Sequence, residues 1–279
     1  MNEALDQAHD DGSEQMSEQP ARPRRKGIYI LPNLFTLAAL FGGFYAIVMA
    51  MNQRFEQAAI GIFCAMVLDS LDGRVARLTN TTSTFGEQMD SLSDMVSFGA
   101  APALIVYEWA LKGMGKLGWI AAFVYCAAAA LRLARFNTNV GVVDKRYFQG
   151  LPSPAAAALV MGFIWLMDDV GYQGFREGPW LGWVALGFTL YAGLTMVTNV
   201  PFYSFKDVNF RRSVPFIVTV AIALGFALIA YHPPTVLFGL FVVYGLSGYA
   251  MYIYRRRKGR PVSVIATSTD EPDEQGLHH

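Results

Sequence analysis

Four aspartates stand where a bilayer disfavours them: Asp69 and Asp72 close the apolar run 57–68, and Asp90 and Asp94 open the next one. A carboxylate near the centre of a membrane helix costs about 2.5–3.5 kcal/mol, so four facing lipid would cost on the order of 10 kcal/mol. They must face one another or a watery cavity. Residues three and four apart share a helix face, so Asp69, Asp72 and Ala76 line one stripe while Gly86, Asp90 and Asp94 line another. Packed antiparallel across a short turn, the stripes would gather four negative charges, which only cations could neutralise. Oxygen donors with no His or Cys nearby select Mg²⁺, Mn²⁺ or Ca²⁺ over zinc. Two ions roughly 3.5–4 Å apart suit this many ligands, an arrangement that recurs where phosphoryl groups are transferred. Gly73 and Gly86 remove bulk where a nucleotide would approach the helices, and Arg77 offers a forked donor to phosphate oxygens. A lone glycine in such a pattern reads as a packing seam; four Asp and an Arg at fixed spacing around the glycines favour a site.

The elements that hold these residues are membrane spans. The chain has 279 residues, 53% hydrophobic and only 16% charged, against roughly 25% charged in a soluble domain. Taking about 20 apolar residues per span, eight candidates appear at 32–51, 57–78, 84–111, 117–137, 152–168, 180–200, 214–231 and 235–254. The expected fold class is all-α, a polytopic transmembrane helix bundle, with a polar arm over 1–26, a membrane domain over 27–258 and a polar tail over 259–279. Of 22 lysines and arginines, only Arg54, Lys112, Lys116 and Arg176 fall on the face opposite the amino terminus. Because cytoplasmic segments carry the positive excess, both termini are expected in the cytoplasm. The turn from Thr79 to Ser83, and the aspartates near it, would then face the cytoplasm too. Cys64 and Cys126 lie in apolar runs and read as small core hydrophobes. Tyr107, Trp109, Trp119, Trp165, Trp180, Trp183 and Tyr203, near span ends, read as interfacial anchors, and His232 as a solvated loop residue.

The pattern Asp-x2-Asp-Gly-x2-Ala-Arg-x8-Gly-x3-Asp-x3-Asp, met without departure at Asp69, Asp72, Gly73, Ala76, Arg77, Gly86, Asp90 and Asp94, resembles the signature of the CDP-alcohol phosphotransferases. The resemblance implies that family's helical fold and two divalent cations, Mg²⁺ or Mn²⁺, with Ca²⁺ also compatible. It implies Asp69, Asp72 and Asp90 as principal metal ligands, and Asp94 as both ligand and the base that deprotonates the acceptor alcohol. The nucleotide is expected against Asp72, Gly73, Ala76, Arg77 and Gly86, and against Asn33 and Thr36 of Pro32-Asn33-x2-Thr36, with CMP as the leaving group.

The acceptor alcohol is addressed by the flanks. Pro32-Asn33-Leu-Phe-Thr-Leu, Asp90 to Pro102, Leu131 to Asn137 and Phe148 to Pro154 resemble bacterial, membrane-embedded members that accept serine. Expected partners are therefore CDP-diacylglycerol, L-serine and the lipids of a bacterial cytoplasmic membrane, with no nucleic acid; family relatives are often homodimers. Arg132 and Arg135 would hold the serine carboxylate or a donor phosphate, unless they snorkel to the headgroups. Lys145 and Arg146 read as surface charges on anionic lipid, and Pro152 and Pro154 as breaks at the start of span five. Glycerol 3-phosphate remains open as acceptor, the product then being phosphatidylglycerophosphate. A membrane transporter is the reading from another class, since it too would explain intramembrane carboxylates.

Overall fold

Small residues decide how the first two helices meet. In this computed structural model, which describes residues 30–79, 83–138, 147–172, 174, 179–204 and 216–258, α1 (Ile30–Met51) packs chiefly on α2 (Phe55–Leu78). Ala39, Ala46 and Ala50 of α1 and Ala58, Ala59 and Ala65 of α2 are buried. A Cβ added to Gly42 would stand 3.1 Å from both Ala65 Cβ and Gly61 O. With no hydrophobic drive between helices in lipid, such close backbone approach supplies the packing.

The third expected span is not one helix. α3 (Thr84–Asp94) opens on Ser83, whose side chain accepts from Gly86 N at 3.1 Å, an ordinary N-cap. A π-helical turn over Met95–Ala100 follows, then α4 (Ala101–Trp109) and a short 3₁₀ turn at Leu111–Met114. The remaining helices are α5 (Lys116–Thr138), α6 (Ser153–Asp169), α7 (Pro179–Val197), α8 (Phe216–Tyr231) and α9 (Pro233–Arg257). The eight expected stretches are thus all helical in the described residues. Four of these helices are long and apolar enough to cross a membrane: α1 over Pro32–Met51, α5, α7 over Trp180–Val197, and α9. The other stretches are interrupted by charge, broken by the π turn, or short.

α6 is the core helix. Ala155 to Trp165 are all buried, with α2, α4, α7 and α9 packed around it, as expected of a helix apolar on every side. Its first turn begins at Pro152, the N-cap, with Pro154 within it, so these prolines start the helix without kinking it. One feature adds to the all-helical expectation: β1 (Tyr147–Gln149) pairs antiparallel with β2 (Pro201–Tyr203), tying the segment before α6 to the segment after α7.

Two sequence readings are corrected. Trp109 and Trp165 are 2% and 8% exposed and fill the core instead of anchoring at an interface; Trp109 stacks edge-on against Phe163. Cys64 is exposed on the bundle surface. His232, at the N-cap position of α9 without a side-chain cap bond, has a partly exposed side chain between α8 and α9, in line with its reading as a solvated loop residue, and lies 3.4 Å from Asp169. The arms 1–26 and 259–279, and Lys145 and Arg146, lie outside the described residues.

Candidate metal and nucleotide site

Asp69 and Asp72 sit on the last turns of α2, and Asp90 and Asp94 on α3, which returns alongside it. One carboxylate oxygen from each of Asp69, Asp72 and Asp90 lies within 4.8 Å of the others. Asp94, one turn beyond Asp90, is in hydrogen-bond contact with Asp69. The two stripes therefore converge as their spacing demands. Asp72 is buried, and Thr36 on α1 donates to its Oδ2 at 2.7 Å. Oδ1 of Asp90 and Oδ1 of Asp94 are buried without a hydrogen-bond partner. Buried oxygens normally find partners, so two orphans among converging carboxylates, with oxygen donors alone, fit a hard divalent cation.

Beside the acids lies an open cleft, about 530 Å³ of empty space, walled by α1, α2 and α3. Asn33, Thr36, Asp72, Gly73, Ala76 and Gly86, all singled out in the sequence for a nucleotide, line it, and Asp90 joins it to the acid cluster. A Cβ on Gly73 would meet nothing within 4 Å, so no packing demand accounts for glycine there. Arg77 is not among the lining residues: it is exposed, and its Nε donates to Gly73 O, one turn back, at 2.9 Å. The sequence reading passed over Ser83 and Glu87, which also line the cleft. Ser83 was detectable as a cap residue ahead of α3; Glu87 carried no signal beyond its charge.

Arg132 and Arg135, three apart on α5, have unlike fates. Arg132 is 8% exposed, too buried to snorkel. Its Nη1 donates to Ser153 Oγ at 2.8 Å and its Nε has no partner. It lies close enough to Asp94 and to Tyr244 of α9 to feel both electrostatically. Arg135 donates instead to Asn199 Oδ1 at 3.1 Å and to the Met196 and Thr198 carbonyls at 3.3 and 3.4 Å, which fastens α5 to the end of α7. Ser153 lies in the quoted stretch Phe148 to Pro154 but was given no role of its own, and Tyr244 was not foreseen because the final spans read as little more than apolar.

Helices long and apolar enough to cross a membrane, with an acidic triad that could hold a metal ion at the mouth of a cleft, fit the class of membrane-embedded enzymes. The chain belongs to the CDP-alcohol phosphatidyltransferase family, whose model matches residues 29–191. It is 38% identical over 219 residues to the CDP-diacylglycerol–serine O-phosphatidyltransferase of Helicobacter pylori (strain J99), covering 78% of this chain and 90% of that protein. Proteins of the same name from Methanocaldococcus jannaschii and Mycobacterium leprae are 33% and 35% identical, covering 67% and 59% of this chain and 82% and 56% of their own lengths.

Proposed function

We propose that this protein transfers the phosphatidyl group of CDP-diacylglycerol to L-serine, giving phosphatidylserine and CMP, with catalysis in residues 27–258. The observation that carries the reading is the convergence of Asp69, Asp72 and Asp90 within 4.8 Å beside a cleft. The name shared by the relatives supports serine as the acceptor. Asp69, Asp72, Asp90 and Asp94 would hold two divalent cations, Mg²⁺ or Mn²⁺, with Ca²⁺ accepted by the same donors. When bound, these ions neutralise the acids and polarise the phosphoryl oxygens.

The chain's own residues do the rest. Asn33, Thr36, Gly73, Ala76 and Gly86 wall the nucleotide, and the bare Gly73 surface lets it approach α2. Arg77, whose side chain among the described residues is held by a carbonyl of its own helix, can swing its fork to a phosphate. Arg132 holds the serine carboxylate, which places the hydroxyl near Asp94. Asp94 takes the hydroxyl proton as the serine oxygen–phosphorus bond forms and the phosphorus–oxygen bond to CMP breaks. Arg135 is committed to α7 and serves the scaffold. The cleft faces the cytoplasm, where water-soluble serine meets a donor from the inner leaflet.

Purified protein incubated with CDP-diacylglycerol and Mn²⁺ is expected to release CMP with L-serine and not with glycerol 3-phosphate. The reverse preference overturns the acceptor. Release with neither, together with ion flux in proteoliposomes, overturns the transferase reading.

A further inference from the structure

The two acid-bearing helices share a third neighbour: α1 packs against both. Toward α2 it presents Gly42 against Gly61 and Ala65, and the Thr36 hydroxyl to Asp72. Toward α3 and the π turn it presents main-chain carbonyls. Ser93 Oγ donates to Thr36 O at 3.1 Å and Ser97 Oγ to Ala39 O at 3.0 Å. Ser93 and Ser97 are 1% and 0% exposed, and they bracket Asp94. The approach is close: a Cβ on Gly43 would stand 2.7 Å from Ser97 Cα. On the far side of the π turn, Tyr125 of α5 donates its hydroxyl to Phe98 O at 3.0 Å. The π turn is thus gripped from two helices immediately after Asp94, and π turns recur where a helix is re-aimed at a functional site.

We propose that Ser93 and Ser97 are positioning residues that fasten α3 to α1 and so set the distance between Asp90 and Asp94 on one side and Asp69 and Asp72 on the other. Thr36 is the joint: its carbonyl takes Ser93 while its hydroxyl holds Asp72. The proposal rests on the cation reading of the acid cluster. Neither serine touches the cleft or a carboxylate, so their effect passes through helix placement.

The test uses the full chain in detergent without substrate, following the rise of Tm with Mn²⁺, and then kcat and KM with both substrates present. Ser93→Ala is expected to raise the half-saturating Mn²⁺ concentration about tenfold, the lower end of what is lost when a residue supporting metal ligands is removed. It should lower kcat with little change in KM for the donor, and Ser93→Thr should restore both. Ser97→Ala should move the same quantities less, and serves if Ser93→Ala does not fold. The control is Thr189→Val, which removes another buried hydroxyl, bonded to Ala185 O at 2.7 Å on α7. It should lower Tm in EDTA and leave the Mn²⁺ response unchanged. Both serine variants behaving like Thr189→Val overturns the positioning role while the cation reading stands. A wild-type Tm indifferent to Mn²⁺ overturns the cation reading, and this proposal with it.

Discussion

α2 carries acids at both ends, and the two groups differ in kind. Near its carboxyl end, Asp69 and Asp72 meet Asp90 and Asp94 with two buried oxygens unpartnered. About 20 Å away along the helix axis, Glu56 in the first turn of α2 meets the end of α6, and there every charge has an outlet. Asp168 accepts from the Glu56 backbone N–H. Asp169 pairs with His232 at 3.4 Å, with both side chains more than 40% exposed. Glu56 sits at the positive end of the helix dipole, where an acid is favoured. Comparable acid counts therefore give a site at one end and a solvated rim at the other. What separates them is convergence without compensation.

The sharpest way to break this contrast is to neutralise one acid at each end. Asp94→Asn should cut CMP release by about 10²–10⁴, the usual contribution of a positioned base, while CDP-diacylglycerol binding survives. A near-normal rate would take Asp94 out of the base role. Asp69→Asn tests the cations separately. At an ion concentration about a hundredfold above Kd, the wild type should gain about 2.7 kcal/mol of stability, read as a rise in Tm that EDTA reverses; the variant should lose most of it.

A smaller effect is expected at the arginines. Arg132→Lys should raise KM for serine about tenfold, or ~1.4 kcal/mol, with KM for the donor unchanged, because a point charge cannot replace a forked donor. Arg135→Lys should leave KM for serine unchanged and lower Tm, and identical behaviour of the two would erase the distinction drawn between them. The smallest effect belongs to the far rim: Asp169→Asn should change stability by about 0.2–1 kcal/mol, as exposed pairs do, with turnover unchanged. A large loss of turnover there would mean the two ends are coupled.

Much of this was legible in the residues. The acids, Gly73 and Gly86 were found by type and spacing, because a helix turns local spacing directly into a shared face; Asn33 and Thr36 came from the family resemblance alone. The helical stretches were legible for a similar reason, since hydrocarbon thickness fixes the length of an apolar run, although only four of the eight are long and apolar enough to cross a membrane among the described residues. The π turn after Asp94 and the β1–β2 ribbon were not, because each depends on partners far along the chain: Tyr125 and α1 for the first, Val200 to Tyr203 for the second.

The sequence by itself determined which helix faces bear the acids and which positions must stay bare, since those are local properties of a 3.6-residue repeat. Only the tertiary structure decided how far apart the acid-bearing faces stand, and which of two neighbouring arginines is buried beside Asp94 with a free donor. Both outcomes depend on the approach of separate helices, set by Gly42, Gly43, Ser93, Ser97 and Ser153 against residues distant in sequence. No spacing within a single helix encodes that approach.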